Sequence, residues 1–443
     1  MEYRRVTTDD VRRPPPEIAV DEQDVDESPV DRVVSFPTLT SEALQGTAGW
    51  IVESVVPHSE AHPAAVLATL LARFGVVVGR EPHVRADNRT HPTRVCPLIV
   101  GKTSTGAKGT SAGVVDALFD AAEFADPGGV PKVGGLSSGE GLIDLVRDGT
   151  GDDPDAKTFD EGVVDKRVYI EEPEFAGTLS VMERNGSILP RVLREAWDGG
   201  VLRTLTRGSP LTATGAHIVI VGHATPGELK ARLTDAQLAG GTMNRFLPIA
   251  SRRTKLCPDG GNIPENIVGE VAGVLAERAA LGWKVGEVKR TAAADELWRA
   301  QYGHVRRERP DGAVAKFLSR AVPQVLRLSL AYALLDGHHE VDEPHLRAAL
   351  ALWEYASASA EWLFGTEPDS GEQDRLVEFI AAAGAAGRSK TEVANGHFAK
   401  NRKAAEIDAI LRPLIEDGRI RQEVTPRQRG RPSTRYFTTD RRN

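Results

Sequence analysis

The sequence predicts an α/β protein with a mostly parallel sheet, and three observations lead to this prediction. Short apolar segments alternate with longer segments whose apolar residues recur every three or four positions, as strands and amphipathic helices do. One segment, GAHIVIVGHAT at 215–225, is almost entirely apolar, as a strand covered on both faces is. Beyond residue 256 the alternation gives way to a mainly helical region, so the sheet is expected to end there.

Composition narrows the class of protein. At 443 residues the chain is long enough for several domains, and 40% hydrophobic with 27% charged residues is typical of soluble globular proteins. No apolar run reaches the roughly 18 residues of a membrane span. The first residues lack the apolar core of a secretory signal. Two cysteines, Cys96 and Cys257, exclude a disulfide framework and a cysteine zinc cluster. We therefore expect a cytoplasmic protein without a membrane partner.

Charge is distributed unevenly along the chain. The net charge is −8, yet residues 371–443 carry 15 Lys and Arg against 10 Asp and Glu, which indicates a basic interaction domain. The predicted organisation is a disordered acidic and proline-rich tail (1–35), a helical lead-in packed on the core (36–93), an α/β core (94–255), a helical region (256–365) and a basic C-terminal domain (371–443).

The individual elements follow from local patterns. His62 and Pro63 form a helix start, and two glycines at 199–200 end a helix. In chain order the predicted elements are helices at 41–56 and 62–79, a strand at 94–101, helices at 110–122 and 137–148, a strand within 167–175, a helix at 188–200, and strands at 202–207, 215–225 and 244–251.

A glycine-rich segment, LIVGKTSTGAKGTSAG at 98–113, joins a predicted strand to a predicted helix. Its Gly101 and Gly106 have the spacing of a P-loop, but Ala107 precedes Lys108 and Gly109 separates that lysine from Thr110. A strand, a glycine-rich turn and a helix N-terminus present backbone N–H groups to an anion. The segment therefore predicts a nucleotide-phosphate site, and the alternative is a glycine-rich turn without a ligand. The predicted phosphate-binding residues are Gly101, Thr103, Ser104, Thr105, Gly106, Ala107, Lys108, Gly109, Thr110 and Ser111.

A pair of glutamates follows the next apolar strand, in VYIEEPEF at 168–175. Nucleotide hydrolysis needs a carboxylate for Mg²⁺ and a group that orients or deprotonates the attacking water. We predict Glu171, with Thr110, as the metal ligand and Glu172 as the second catalytic carboxylate; Glu174 is a further candidate for either role. The alternative is a solvated acidic strand end.

Two more polar residues complete the predicted catalytic set. His223 comes just after the buried apolar run IVIV at 218–221, where a polar side chain can sense the γ-phosphate or the attacking water. Arg245, in NRFL, is a candidate for an arginine that stabilises transition-state charge from a neighbouring subunit. The alternatives are a structural histidine and an arginine in a salt bridge.

The C-terminal segment predicts a winged helix, because helices precede two strands, RIRQEV and TRYFTT, that flank the basic turn TPRQRGRPS. Arginines on such a wing suit contacts to phosphates. The alternative is a small domain for binding another protein. The predicted DNA-binding residues are Lys400, Arg402, Lys403, Arg427, Arg429, Arg431 and Arg435.

Taken together, segments between about Phe36 and Ser251 resemble a family of P-loop ATPases carried by phages, plasmids and integrated elements, often associated with primase-polymerases. The resemblance rests on LIVGKTSTGAKGTS, GLSSGEGLIDLVRD, VYIEEPEFAGTLSVM, LREAWDGG, GAHIVIVGHATPGEL and NRFLPIA, which occur in this order. It implies a RecA-like P-loop core that binds ATP and Mg²⁺, hydrolyses ATP and works as a helicase-like motor in replication of such an element. It also implies a homo-oligomeric ring, such as a hexamer, and a primase-polymerase supplied by another chain.

Two departures from the usual motifs leave the rate of hydrolysis open: the longer glycine-rich loop, and glutamate at 171 where aspartate is usual. We therefore keep two alternatives to an ATP-driven motor on DNA. One is a DNA-binding initiator or regulator that binds nucleotide without separating strands. The other is an ATPase of protein assembly without a role on DNA.

Overall fold

The structure is a computed structural model. It describes residues 35–102, 108–125, 129–151, 159–204, 210–233, 237–238, 240–258, 260–309, 312–364, 370–398, 404–416, 418–425 and 433–439. Within these ranges no helix is both long and apolar enough to cross a lipid bilayer.

The centre of the fold is a parallel sheet of five strands, which confirms the predicted α/β class with a mostly parallel sheet. Its strand order is β4-β5-β8-β3-β9. The strands of the chain are β1 (His83–Ala86), β2 (Arg89–Pro92), β3 (Cys96–Val100), β4 (Lys132–Val133), β5 (Arg167–Glu172), β6 (Leu202–Arg203), β7 (Thr212–Ala213), β8 (His217–Ala224), β9 (Phe246–Ala250), β10 (Lys289–Arg290), β11 (Glu340–Val341), β12 (Arg388–Ser389), β13 (Ile420–Thr425) and β14 (Ser433–Thr438).

Helices cover both faces of this sheet. The helices of the chain are α1 (Gly46–Val55), α2 (Pro63–Val78), α3 (Lys108–Asp120), α4 (Gly139–Asp144), α5 (Phe175–Glu183), α6 (Leu189–Asp198), α7 (Pro226–Arg232), α8 (Glu265–Gly282), α9 (Ala292–Val305), α10 (Ala313–Phe317), α11 (Ala321–Leu335), α12 (Glu343–Phe364), α13 (Ser370–Ala381), α14 (Lys390–Glu392) and α15 (Ala404–Glu416). The region after the sheet is mainly helical, as predicted, from α8 to α12.

Side-chain alternation divides the core into two halves, one on each face of the sheet. Ile99, Tyr169 and Val221 belong to one apolar cluster, which also contains residues of α2 and α3. Their strand neighbours Leu98 and Ile170 belong to the other, which contains residues of α5 and α6. Since successive side chains of a strand point to opposite faces, sequence position alone assigns each strand residue to one half.

The edge strand β9 is closed by the long helix α12. The Tyr355 hydroxyl donates to the Ala250 carbonyl at 2.7 Å, and the Ala250 N–H donates to the Ser359 hydroxyl at 3.0 Å. These bonds satisfy backbone groups that an open sheet edge would expose.

The predicted helical lead-in at 36–93 contains helices α1 and α2 and, after them, a β-hairpin that was not predicted. β1 and β2 pair antiparallel across a two-residue turn formed by Asp87 and Asn88. Both turn residues have positive φ, 51° and 56°, which Asp and Asn tolerate better than other side chains do. The helix predicted at 137–148 is also shorter than expected, since α4 covers only 139–144.

The C-terminal segment has an apolar cluster of its own, which includes Leu376, Ile410 and Tyr436. Three antiparallel strands in the order β12-β14-β13 pack with helices α13 and α15. The two strands predicted from RIRQEV and TRYFTT are β13 and β14. The turn between them, 426–432, lies outside the described residues.

Candidate functional site

Between β3 and β8 the order in which the chain adds strands to the sheet reverses. After β3 the chain passes through α3 to β4 at one edge of the sheet, whereas after β8 it continues to β9 on the other side of β3. Loops that leave adjacent parallel strands in opposite directions open a crevice at the carboxyl edge, where ligands of such sheets bind. The glycine-rich segment at 101–107 leaves β3 at this crevice.

Some of the predicted phosphate-binding residues lie in the described part of the chain, on either side of residues 103–107. Gly101 is buried, and its N–H donates to the Ala224 carbonyl at 3.1 Å, which ties the end of β3 to the end of β8. Helix α3 begins at Lys108; Gly109 and Thr110 are exposed at its start, and Ser111 is buried. Thr103, Ser104, Thr105, Gly106 and Ala107 lie outside the described residues, as does the side chain of Lys108.

Glu171 lies on the face of the sheet that carries α3. It pairs in register with Val221, which belongs to the α2–α3 half of the core. Lys132 of β4 makes ion pairs with Glu171 at 2.7 Å and with Asp116 of α3 at 2.5 Å. Arg73 of α2 lies 3.9 Å from Asp116 and stacks on the Tyr169 ring, 4.3 Å from its centroid. The carboxylate is thus in contact with a cation and borders α3.

Glu172 points to the opposite face, although it is the next residue in the chain. Its two carboxylate oxygens accept hydrogen bonds from the Leu136 N–H at 2.8 Å and from the Thr178 hydroxyl at 3.1 Å. The residue is 6% exposed. These contacts join β5 to the segment after β4 and to α5, so they give Glu172 a structural role that was not predicted.

His223 is buried beside the crevice. Its register partner on β3 is Ile99, a member of the α2–α3 half of the core, so His223 and Glu171 share one face of the sheet. The structure therefore brings Glu171, His223 and the start of α3 to the same side of the sheet.

Arg245 lies at the opposite edge, immediately before β9, and is not brought together with the other predicted catalytic residues of the chain. It makes an ion pair with Asp198 at 2.6 Å and donates to the Gly241 carbonyl. Only 7% of its side chain is exposed. These contacts match the salt-bridge alternative, and a role toward a neighbouring subunit stays a prediction.

Of the predicted DNA-binding residues, only Arg435 lies in the described part of the chain. It donates to the Ala386 and Gly387 carbonyls and makes an ion pair with Glu392 at 3.1 Å. Its side chain therefore stabilises the C-terminal segment. Lys400, Arg402, Lys403, Arg427, Arg429 and Arg431 lie outside the described residues.

Two groups of residues with functional chemistry were missed from the sequence. Lys132 and Asp116 surround Glu171, but no local pattern connects three such distant positions. A second group of charged residues lines a cavity near the β1–β2 hairpin. The Asp87-Asn88 turn between two alternating segments was the available signal for that hairpin.

No cluster of three or more metal-binding side chains occurs among the described residues. A Mg²⁺ site does not require such a cluster, because proteins hold Mg²⁺ through one or two carboxylates together with the substrate's phosphates.

Comparison of the chain with models of known protein families finds no match, and comparison with curated proteins finds none either.

Proposed function

We propose that the chain is an ATP-dependent, DNA-acting motor with a RecA-like P-loop core, as the sequence resemblance implies. One observation carries this proposal: the glycine-rich segment 101–107 leaves β3 at the crevice between β3 and β8 and leads into α3. A helix N-terminus at such a crevice offers backbone N–H groups and the positive end of the helix dipole to phosphates.

The residues around the crevice fit ATP and Mg²⁺ as cofactors. Lys132 already pairs with Glu171 and Asp116, so the two carboxylates accommodate positive charge beside α3. Mg²⁺, when bound, would neutralise charge that develops on the phosphates. In this proposal Lys108 binds phosphate, Thr110 and Glu171 hold the metal, and His223 contacts the γ-phosphate or the attacking water. Glu172, whose two carboxylate oxygens each accept one hydrogen bond, keeps β5 in position.

The C-terminal segment is proposed to be a winged helix that holds DNA. The order α13, β12, α14, α15, β13 and β14 supports this assignment, since a basic turn separates the last two strands. The remaining partners implied by the resemblance are further copies of the chain in a ring and a separate primase-polymerase.

Replacement of Lys108 by alanine tests the proposed site. We expect the full-length chain to hydrolyse ATP faster when DNA is present, and the Lys108→Ala variant to lose at least about 90% of this turnover because a phosphate contact is gone. Steady-state phosphate release with and without single- and double-stranded DNA measures both effects. Lys284→Ala, at an exposed position outside the proposed site, is the matched control. Full turnover in Lys108→Ala would refute the site.

A second function, a DNA-binding initiator or regulator that binds nucleotide without turnover, is favoured by one contact. Lys132 holds Glu171 and Asp116 together, so a metal ion must displace an ammonium group before it reaches Glu171. This alternative predicts nucleotide-dependent binding of duplex DNA without phosphate release or strand separation, and the same assays distinguish the two functions.

A further inference from the structure

A cavity of about 940 Å³ lies at the amino edge of the sheet, on the side opposite to the glycine-rich segment. Its walls come from the β1–β2 hairpin, the carboxyl end of α6, the segment after α9 and the start of α11. Arg327, in its wall, donates to the Arg94 carbonyl at 2.9 Å, and Arg94 lies two residues before β3. This bond locates the cavity beside the amino end of the central strand.

The lining of this cavity is strongly basic. It contains three carboxylates, from Asp87, Asp198 and Glu308, and twice as many guanidinium groups. The six arginines are Arg89, Arg306, Arg307, Arg309, Arg320 and Arg327. An excess of positive charge in such a concave surface concentrates anions, because the low-dielectric walls focus field lines.

Ion pairs within the protein do not balance these charges. Asp198 is paired with Arg245 at 2.6 Å, outside the lining, and Arg307 is paired with Glu354 at 3.1 Å. Arg89, Arg306, Arg309 and Arg320 make no ion pair with any carboxylate in the described part of the chain. Arg306 donates to the Tyr302 hydroxyl and Arg309 to the Ser357 hydroxyl. These four guanidinium groups of the lining are therefore not held in an ion pair with the described residues.

Arg320 shows the electrostatic cost of this arrangement. It is partly buried, and neither a hydrogen bond nor an ion pair is made by its side chain to the described residues. Burial and the nearby Arg245 both lower its pKa. Arginine is rarely buried without a partner, because its charged form loses hydration.

Two buried nitrogen atoms in the same wall also lack hydrogen-bond partners among the described residues. Arg327 is 1% exposed, and its Nε has no hydrogen-bond acceptor among the described residues. The Nδ1 atom of His91, on β2 beside the cavity, is likewise buried and has no partner there. Since buried polar groups in native proteins are nearly always hydrogen-bonded, such groups indicate a partner outside the protein, which is a ligand, an ion or an ordered water.

We propose that this cavity is a second anion site, distinct from the crevice at the carboxyl edge, and that it binds a phosphorylated ligand of nucleotide size through Arg89, Arg306, Arg309 and Arg320. The inference does not depend on ATP hydrolysis, since none of its residues belongs to the proposed catalytic site.

Phosphate is the chemical class that this lining fits. A guanidinium group binds phosphate through two parallel N–H···O bonds, and several arginines together match the multiple charges of a polyphosphate or of consecutive phosphodiesters. The volume is at the upper end of the range for small-molecule pockets, about 300–1,000 Å³, and so exceeds the need of a single inorganic ion. The source of the phosphate is either a free nucleotide-like polyphosphate or a nucleic-acid backbone.

Calorimetric titration with sodium tripolyphosphate, in a chelator and without Mg²⁺, tests the site. The full-length Lys108→Ala variant serves as the parent, so that the Lys108 contact with phosphate is removed from every variant that is compared. We expect saturable binding to this parent. Adding Arg309→Gln and Arg320→Gln should raise the Kd by about tenfold or more, since two charge-assisted contacts are lost.

The matched control is Arg191→Gln with Arg347→Gln in the same parent. Each of these arginines pairs with a carboxylate four residues away on its own helix and lies outside the cavity. We expect the control to keep the parent Kd. The pair Arg309→Lys and Arg320→Lys keeps both charges and should recover part of the affinity, which makes the result independent of whether the glutamine variant folds well.

No saturable binding to the parent would overturn the proposal, as would a Kd that is equal in the glutamine variant and the control. A fluorescent single-stranded oligothymidylate then identifies the source of the phosphate. Weaker binding of this oligonucleotide to the glutamine variant than to the control assigns the cavity to a nucleic-acid backbone, and equal binding to both, while the glutamine variant binds tripolyphosphate more weakly, assigns the cavity to a free polyphosphate.

Discussion

At the scale of single residues, Lys132 has the most consequential contacts. Its ammonium group joins Glu171 of β5 to Asp116 of α3. Partial burial acts to lower the Lys132 pKa, yet the hydrogen bonds with Asp116 and Glu171 outweigh this effect and raise the pKa above its usual value. The lysine therefore stays charged at neutral pH and competes with any other cation for the two carboxylates.

Substitution of Lys132 by methionine should make Glu171 more accessible to Mg²⁺. The side chain keeps its length and loses its charge, so the concentration of Mg²⁺ that half-saturates nucleotide hydrolysis should fall by about twofold to fivefold, the range of a partly exposed ion pair. A Mg²⁺ titration of steady-state phosphate release measures the change.

Lys284→Met, at an exposed lysine outside this network, controls for the general loss of a positive charge. A half-saturating Mg²⁺ concentration that stays constant or rises in Lys132→Met would show that the lysine does not compete with the metal.

The alternation of side chains along a strand allowed part of the arrangement around Glu171 and Glu172 to be predicted. Adjacent residues of a strand point to opposite faces, so Glu171 and Glu172 had to separate once β5 was recognised. Their partners were not predictable. Lys132 lies on a two-residue edge strand, and the Leu136 N–H that binds Glu172 lies in a loop, so neither carries a local pattern.

At the scale of elements, His62 fixes the start of α2. Its Nδ1 accepts the Ala64 N–H at 3.3 Å, which caps the helix, and Pro63 occupies the first helical position. Burial, with a smaller contribution from Arg252, lowers the His62 pKa from 6.5 to about 4. The cap requires a neutral imidazole, because a protonated Nδ1 is a donor and cannot accept this bond.

This cap makes stability depend on pH in a defined direction. Between pH 6.5 and about 4 the unfolded chain binds a proton at His62 that the folded chain does not bind, so stability falls as the pH is lowered through this range. His62→Asn keeps a capping side chain that does not titrate, and the variant should lose less stability over the same range. Denaturant unfolding at pH 7 and pH 5 gives the comparison.

His58→Asn is the control, because His58 lies on the same connection but does not cap α2. Equal losses in wild type and His62→Asn on acidification would show that other groups, such as the buried His217, cause the pH dependence.

Sequence patterns predicted the long elements better than the short ones. The apolar pattern is consistent over all the residues of the strand β8 and over several turns of the helices α2 and α12. The β1–β2 hairpin has only four residues on each side, and its turn signal consists of two residues, Asp87 and Asn88. Short strands contain too few alternations to stand out from a polar loop.

At the scale of the whole molecule, two buried arginines connect the sheet to the helical region. Arg94 and Arg327 both donate to the Trp197 carbonyl at 2.9 Å, near the carboxyl end of α6, where the helix dipole is negative. The Arg327 guanidinium also stacks on the Trp197 ring at 3.5 Å. Burial and the proximity of Arg94 lower the Arg327 pKa, and burial lowers that of Arg94 to about 10.

Removal of Arg327 should weaken the packing of α11 against the sheet. In Arg327→Met the hydrogen bonds to the Arg94 and Trp197 carbonyls are lost together with the stacking on Trp197. Relief of the repulsion from Arg94 offsets part of this loss. We expect the free energy of unfolding to fall by about 2 to 4 kcal/mol, as measured by denaturant titration.

Arg347→Met, which removes a surface pair with Glu343 on α12, should cost less than about 1 kcal/mol. Equal stability of Arg327→Met and wild type would mean that relief of charge repulsion outweighs the lost hydrogen bonds.

The overall α/β class and the helical region after the sheet were predictable, because both depend on periodicity and on the order of the segments. The convergence of arginines on the amino edge was not predictable. More than 200 positions separate Arg89 from Arg306 and Arg320, and the three arginines belong to different elements. Only the folded chain brings them to one cavity.

The separation of Glu171 and Glu172 by the sheet has a practical consequence for genetic experiments. Adjacent acidic residues of this kind are commonly replaced together, as a single tool for abolishing activity. In this chain a combined replacement would alter two independent processes, since Glu171 borders α3 beside Lys132 and Glu172 anchors Leu136 and Thr178. A loss of function in the double variant would therefore not distinguish a chemical defect from a folding defect, and each glutamate has to be replaced alone.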